Sequence, residues 1–195
     1  MIIIGLTGSI GMGKSTTAQM FREEGCPVFD ADAAVHDLYA KGGKAVPIIR
    51  SVFPDAIKDG AVDRGVLGKH MRADPLQLKV LESFIHPLVS EARTEFFDEN
   101  RDADIVIMDV PLLFETGLDK AVHHIVVVTA PYEVQRERVL ARDGMTPELF
   151  DSLLARQTPD EEKRKRAHAL VFSDKGLDNA REQVQTILRE LRSKT

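Results

Sequence analysis

Residues 8–15 read G-S-I-G-M-G-K-S and constrain the fold of this chain more than any other stretch. They match the pattern G-x-x-x-x-G-K-S. An apolar run with the composition of a strand, residues 2–7, precedes them, and a helix-competent stretch, residues 15–24, follows and stops at Gly25. A strand, a glycine-rich loop and a helix N-terminus in this order bind nucleotide phosphates. An ordinary glycine-rich turn is the alternative, and it does not require both flanks.

The residue types of the loop fit phosphate chemistry. Glycines let the backbone turn its N–H groups inward, with no Cβ in the way of a phosphate. Lys14 would reach the β- and γ-phosphates as a point charge, and the Ser15 hydroxyl would ligate Mg²⁺. The helix dipole adds positive potential at the same place. The residues predicted to bind the nucleotide are Gly11, Met12, Gly13, Lys14, Ser15 and Thr16.

Composition narrows the class of protein. A chain of 195 residues is one domain by size, and its net charge of −5 does not favour a nucleic-acid partner. Cys26 is the only cysteine, so neither a disulfide framework nor a cysteine metal site is expected. The first residues have the composition of a strand and not of a signal peptide, and no run approaches transmembrane length. We therefore expect a cytoplasmic protein with no membrane partner.

Four later segments have the character of buried strands: residues 26–29, 105–108, 125–128 and 170–172. Each is continuously apolar, which is typical of strands covered on both faces of a parallel sheet. Helical stretches lie between them, the last at about residues 179–191. The pattern predicts a three-layer α/β fold with a parallel sheet, whose functional groups gather at the carboxyl ends of the strands.

Two segments interrupt the alternation of strands and helices. Residues 31–101 contain no convincing strand, although residues 46–49 are apolar, and indicate several helices, the longest at 75–99 with a possible break at Pro87. Residues 131–167 are rich in arginine and suit a helical hairpin that closes as a lid. The predicted division is a nucleotide-binding core of 1–30, 102–130 and 168–195, a helical acceptor-binding insertion of 31–101, and a lid of 131–167.

Acidic residues follow two of the predicted strands. Asp30 and Asp32 follow the second, where they could activate an acceptor hydroxyl and position Mg²⁺ through water. The alternative is that Asp30 caps the next helix, which leaves Asp32 for the chemistry. Asp109 ends the third, either as a Walker B-like group that holds Mg²⁺ or as a strand-end side chain bonded to backbone. Glu115 is a weaker candidate, and a solvated helix-end acid is an equal alternative.

Basic residues supply further candidates. Arg138 and Arg142 are four residues apart, which on a helix places both guanidinium groups on one face, where they can grip phosphate oxygens. The charged run of residues 161–166 is in good part a solvated helix face. His86 precedes Pro87, and a structural or capping role is as compatible with the local pattern as ligand contact. The histidine spacings do not favour zinc.

Taken together, the motifs resemble the dephospho-coenzyme A kinase family. The matching pieces are GLTGSIGMGKS at 5–15, DAD at 30–32, HPL at 86–88, DVPLLFE at 109–115, the pattern of Gln135, Arg138, Arg142 and Asp143, and Gln157. They occur in the family's order and spacing and cover nearly the whole chain. The loop alone would indicate only a nucleotide-binding enzyme or switch.

The resemblance implies a P-loop kinase with a five-stranded parallel sheet, which uses ATP and Mg²⁺ to phosphorylate the ribose 3′-hydroxyl of dephospho-coenzyme A. It implies that Asp32 is the general base, that Lys14, Arg138 and Arg142 act on the phosphates, and that Ser15 and Asp109 serve the metal. Asp32, His86 and Leu112 would lie on the acceptor side. The chain departs from the family's usual Ile-Asp-Asn-Asn-Gly-like segment, since residues 172–176 read F-S-D-K-G.

Two other functions are compatible with the loop alone. Another small-molecule kinase of the same fold is disfavoured by the DAD and HPL pieces. A GTPase switch is disfavoured because the sequence lacks both N-K-x-D and D-x-x-G. The expected partners are ATP and dephospho-coenzyme A, with the chain a monomer or a weak homo-oligomer.

Overall fold

A computed structural model describes residues 1–193, apart from the side chain of Pro75. The strands are β1 (Ile2–Thr7), β2 (Val28–Asp30), β3 (Ile57–Lys58), β4 (Ala61–Val62), β5 (Ile105–Asp109), β6 (His124–Thr129) and β7 (Ala169–Phe172). The helices are α1 (Lys14–Glu23), α2 (Ala31–Tyr39), α3 (Val46–Val52), α4 (Arg64–Ala73), α5 (Pro75–Glu99), α6 (Tyr132–Leu140), α7 (Pro147–Leu154), α8 (Asp160–Arg166) and α9 (Leu177–Arg192). The described chain divides into two compact units, Met1–Phe29 with the part from Asn100 onward, and Asp30–Glu99.

Within the described residues, the large sheet has five strands in the order β2-β5-β1-β6-β7. The strands of the registered pairs run parallel, with Ile4 beside Ile107 and Leu6 beside both Asp109 and Val126. The five residues of β5 are all buried, which explains why its sequence is continuously apolar. The predicted α/β fold with a five-stranded parallel sheet flanked by helices is confirmed.

The order of the strands determines where a ligand can bind. β1 is flanked by β5 on one side and β6 on the other, so the chain crosses from one side of β1 to the other between these two strands. In parallel sheets, a crevice opens outside the carboxyl ends of the strands at the point where the strand order reverses in this way. The loop of residues 8–13 leaves β1 at that position and leads into α1.

The core of the first unit lies between the sheet and two helices. α9 turns a buried stripe to it at spacings of three and four residues: Ala180, Val184, Ile187, Leu188 and Leu191. α1 contributes Phe21, which is fully buried in the same cluster. This packing holds the N-terminal helix, and hence the loop before it, against the sheet.

The second unit, Asp30–Glu99, is mostly helical around its own apolar cluster, which includes Leu38, Ile49, Phe53, Leu67, Leu81 and Ile85. It also holds a two-stranded antiparallel hairpin, β3–β4. The prediction that this segment lacks strands was therefore wrong. The missed signal is the Asp59-Gly60 pair, since both residues adopt positive φ (51° and 84°), as a tight hairpin turn requires.

The apolar residues 46–49 begin helix α3, which agrees with the helices predicted for this segment. Two other details differ from the sequence prediction. α5 continues through Pro87 as one helix of 25 residues. The proline removes one N–H donor, but the packing of the helix before and after it keeps the helix continuous. Residues 131–167 form three helices, α6, α7 and α8, in place of a hairpin. In the described part of the chain, no helix is long and apolar enough to cross a membrane.

Candidate active site

The loop between β1 and α1 has the geometry of an anion-binding site. Gly11 and Gly13 adopt positive φ (79° and 89°), and Gly13 is the N-cap of α1. The amide of Met12 donates to the carbonyl of Ser9 at 3.1 Å, and the first helical bond runs from the Thr17 amide to the Gly13 carbonyl. The amides of the first helical turn have no partner within the helix, so their N–H groups and the positive end of the helix dipole lie together at the N-terminus of α1.

Neighbouring atoms leave no room for a side chain at Gly8 or Gly11, and Gly11 also has a positive φ. A Cβ on Gly8 would lie 2.7 Å from the carbonyl oxygen of Val128. A Cβ on Gly11 would lie 2.5 Å from Val139 Cγ2 and 2.9 Å from the carbonyl oxygen of Gln135, both on α6. The loop therefore packs directly against the sheet and against α6.

Two glutamine side chains hold the peptide groups of Ile10. The Gln135 Nε2 atom donates to the Ile10 carbonyl at 2.7 Å, and the Ile10 amide donates to Gln157 Oε1 at 3.1 Å. Gln135 is 2% exposed, so its amide is committed to this contact and not to solvent. The phosphate loop is thus tied to α6 and to the segment after α7.

Lys14 forms an ion pair with Asp109, through Nζ and Oδ1. Asp109 ends β5 beside Leu6 of β1, so the register of the sheet places its carboxylate next to the start of α1. The side chains are 14% and 3% exposed, which strengthens the attraction relative to a surface pair. The predicted phosphate-binding lysine and the predicted metal residue therefore meet in the structure.

The oxygen donors near the loop fit a magnesium ion. Ser15 lies exposed in the first turn of α1, and Asp109 supplies a carboxylate. Among the described residues, no group of three or more acidic, histidine or cysteine side chains has the arrangement of a self-sufficient metal site. A hydroxyl and a carboxylate are hard oxygen donors of the kind that Mg²⁺ accepts beside water and phosphate.

The predicted lid arginines line a cavity beside the loop. Its volume is about 260 Å³, and its lining includes Gly11, Gly13, Thr16, Arg138, Arg142 and Ser173. α6 ends at Leu140, so Arg142 lies just beyond the helix and not on a continuous helical face with Arg138, as the spacing had predicted. Both cationic residues still reach the same cavity.

A larger cavity, of about 650 Å³, is lined in part by Met12, Gln135 and Gln157. Its lining also includes the carboxylates of Asp151 and Asp160 and several apolar side chains. One cation, Arg164, also lines this cavity, so its acids outnumber its arginine, whereas the smaller cavity combines two arginines with a helix N-terminus. The smaller cavity is therefore the candidate for the nucleotide.

The acceptor-side candidates lie mainly in the second unit. Asp30 caps α2, because its Oδ1 accepts a hydrogen bond from the Ala33 amide at 2.9 Å. Asp32 is exposed in the first turn of α2, and His86 is exposed on α5. Leu112, in the first unit, is 40% exposed in the segment after β5. The cap expected at Asp30 is thus present, and the Asp32 carboxylate is exposed.

Glu115 is a structural acid and not a solvated helix end. Its Oε1 accepts from the Thr158 amide at 2.6 Å and lies 3.2 Å from the Nζ atom of Lys163, an electrostatic contact with poor hydrogen-bond alignment. Lys163 is fully buried, so it is an exception to the solvated face predicted for residues 161–166, whereas Lys165 pairs with Glu161 and Glu162 at the surface. Burial alone would raise the pKa of Glu115. The hydrogen bonds from the Thr158 amide and its own, together with the charge of Lys163, outweigh burial and lower that pKa.

Known proteins resemble this chain over nearly its whole length. The family model described as dephospho-CoA kinase matches residues 2–179. A dephospho-CoA kinase of Rhodopseudomonas palustris is 52% identical over 190 residues, which are 96% of this chain and 94% of that protein. The chain belongs to the dephospho-CoA kinase family.

Two solved structures share the fold of this chain. TT1252 from Thermus thermophilus has a TM-score of 0.82 and 38% identity, over 97% of each chain. The dephospho-CoA kinase from Campylobacter jejuni has a TM-score of 0.69 over 97% of this chain and 96% of its own, and at 21% identity it shows the fold alone. The resemblance inferred from the sequence is confirmed, and both the GTPase switch and a kinase of another family are set aside.

Sequence reasoning missed three residues that shape this dephospho-CoA kinase site. Gln135 and Gln157 belong to the family pattern, but nothing in their spacing shows that both bind the backbone of Ile10. Ser173 stands out in the sequence only as a departure from the family, although its hydroxyl bonds both Arg138 and the loop. Such contacts join positions more than 30 residues apart, so only the fold reveals them.

We expect Gly11→Ala to weaken ATP binding by at least about tenfold, because the new methyl group overlaps Val139 and the Gln135 carbonyl and displaces the loop. Calorimetric titration with ATP and Mg²⁺ measures the change. Gly25→Ala is the matched control, since Gly25 shares the positive φ (82°) but a Cβ placed on it would meet no atom within 4 Å. It should cost about 1 kcal/mol of stability and leave ATP affinity unaltered. Parental affinity in Gly11→Ala would contradict the close packing.

We expect Glu115→Gln to lower the free energy of unfolding by about 3 kcal/mol at pH 7, because it leaves the buried Lys163 ammonium without its carboxylate. Since the folded-state pKa of Glu115 is lowered, its contribution is present above its ordinary pKa of 4.5 and is lost as the pH falls through the lowered value. Urea unfolding across this pH range should therefore show the two proteins converging below pH 4.5. The surface variant Glu161→Gln should scarcely change the urea midpoint, and an equal loss in both variants would refute the account.

Proposed function

We propose that this chain transfers the γ-phosphoryl group of ATP to the ribose 3′-hydroxyl of dephospho-coenzyme A, giving coenzyme A and ADP. The activity is that of the family to which the chain belongs. The observation that carries the proposal is the cavity that brings the loop glycines, the start of α1, Arg138 and Arg142 together. These groups match the negative charge of a nucleotide polyphosphate.

The phosphate side of the reaction is assigned to the loop and α1. The loop amides and the first-turn amides would hold the β- and γ-phosphates, with Lys14 as a point charge between them. Lys14 then exchanges part of its contact with Asp109 for phosphate oxygens. Ser15 and Asp109 would hold Mg²⁺ directly or through its waters, and the ion would neutralise charge on the transferring phosphoryl group.

The acceptor side is assigned to Asp32, with His86 and Leu112 as substrate-binding residues. As the acceptor oxygen forms its bond to the γ-phosphorus, the bond to the ADP oxygen breaks and the hydroxyl proton passes to the Asp32 carboxylate. Asp32 suits this role because its carboxylate is exposed while Asp30 takes the capping bond. Residues 31–101 are proposed to bind the acceptor.

The lid assignment rests on charge and on chain position. Arg138 and Arg142 belong to residues 131–167 and line the nucleotide cavity, where they would offset the charge that spreads over the phosphoryl oxygens. A lid also keeps water from competing with the acceptor hydroxyl.

We propose that the chain works without nucleic-acid or membrane partners, in the cytoplasm, as a monomer or weak homo-oligomer.

An acceptor competition tests this function. The purified chain with ATP and Mg²⁺ is offered dephospho-coenzyme A, a nucleoside monophosphate and shikimate in separate and mixed reactions. We expect ADP formation only with dephospho-coenzyme A, and a product whose mass exceeds that of the acceptor by one phosphoryl group at the ribose. Robust turnover of another acceptor beside none with dephospho-coenzyme A would overturn the proposal.

We expect Asp32→Asn to lower kcat by about 10²–10⁴-fold while ATP binding persists, because the amide cannot accept the hydroxyl proton. Steady-state kinetics with a parallel ATP titration separates the two effects. Asp30→Asn is the matched control, since asparagine keeps a capping oxygen for the Ala33 amide and should hold kcat near that of the parent. If kcat is unchanged in Asp32→Asn, or falls equally in both variants, Asp32 is not the base.

A further inference from the structure

Ser173, directly after β7, joins one lid arginine to the phosphate loop. Arg138 donates from Nη1 to the Ser173 hydroxyl and from Nη2 to the Ser173 carbonyl, each at 2.8 Å. The same hydroxyl donates to the Met12 carbonyl at 2.7 Å. The Ser173 amide in turn donates to the Thr129 carbonyl of β6 at 3.0 Å, so the serine backbone is fixed to the sheet. One small side chain therefore links the arginine, the loop and the sheet.

The contact between Ser173 and the loop is close. A Cβ on Gly13 would lie 3.1 Å from both Cβ and Oγ of Ser173, and 3.7 Å from Arg138 Nη1. Gly13 is the N-cap of α1, at the positive end where a phosphate would bind. The serine thus places the guanidinium group beside the helix N-terminus.

The chemistry of serine suits this position. A hydroxyl can accept from the arginine and donate to the carbonyl at the same time. Because it is neutral, it orients the guanidinium group without cancelling its charge, which a carboxylate at the same place would do. An arginine has five N–H donors, and two of them bond Ser173, so three are not committed to this residue.

We propose that Ser173 is a positioning residue for phosphoryl transfer, which acts through Arg138 by holding the guanidinium group against the phosphate loop before the nucleotide binds. A long side chain that is already ordered loses little conformational freedom when it meets a phosphate. The inference rests on the proposed function, because it requires that Arg138 acts on the phosphates of ATP. It adds a residue outside the set that the sequence motifs had marked.

Ser173→Ala tests the inference together with Arg138→Ala and the double variant. We expect Ser173→Ala to lower kcat/KM for ATP by about tenfold, the size of a lost hydrogen bond to a charged group. The decrease should fall on the same parameter, kcat or KM, that Arg138→Ala changes. In the Arg138→Ala background, Ser173→Ala should cause no further decrease, because its effect passes through the arginine.

Thr186→Val is the matched control in this unit. The Thr186 hydroxyl of α9 also accepts from an arginine, Arg189, at 3.0 Å and donates to a backbone carbonyl, that of Glu182, at 2.8 Å. It does not line the nucleotide cavity, so its loss should leave kcat/KM for ATP near the parental value. Melting temperatures for every variant report folding, and Ser173→Cys, with a weak donor of similar size, replaces Ser173→Ala if that variant does not fold.

The outcomes separate the two claims. If the parent neither binds ATP nor phosphorylates dephospho-coenzyme A, the proposed function fails before Ser173 is tested. If the parent is active and Ser173→Ala matches it, the positioning role is wrong. An equal decrease in the presence and absence of Arg138 also overturns the role, since it would show that the serine acts by another route.

Discussion

The hydrogen bonds that two glutamines make to the peptide groups of Ile10 fix the conformation on which the site depends. Gln135 bonds the carbonyl and Gln157 the amide, while α6 packs against Gly11 too closely to admit a Cβ. Held in this way, the loop keeps Gly11 and Gly13 at positive φ and its amides in place for an anion. A loop held in this way loses little conformational freedom when it binds a phosphate.

Charges around the loop are arranged in pairs. In the segment from β5 to residue 115, Asp109 binds Lys14 and Glu115 binds the buried Lys163. The first pair borders the phosphate site and keeps the lysine close to where phosphate would bind. The second joins the same segment to α8, so its role is structural. Removing the carboxylate would leave the buried Lys163 ammonium unpaired, which is costly to the fold.

The sequence predicted the fold class and the phosphate loop because both depend on local patterns. The continuous apolar strands and the flanked G-x-x-x-x-G-K-S motif each lie within about ten residues. The β3–β4 hairpin was missed because its strands are only two residues long and give no periodicity. Contacts such as Arg138 to Ser173 or Lys14 to Asp109 could not be predicted from the sequence, because the order of the strands determines them and the spacing of residues does not. The roles of Asp32, His86 and Leu112 remain predictions.

Amide hydrogen exchange of the nucleotide-free protein tests most directly whether the loop is organised in advance. The account predicts slow exchange at the amides of Ile10 and Met12, which bond Gln157 and Ser9, and faster exchange at Ile10 in Gln157→Ala. ATP should then add little protection at these two amides. Rapid exchange at both in the free protein, with protection appearing only when ATP is added, would contradict the account.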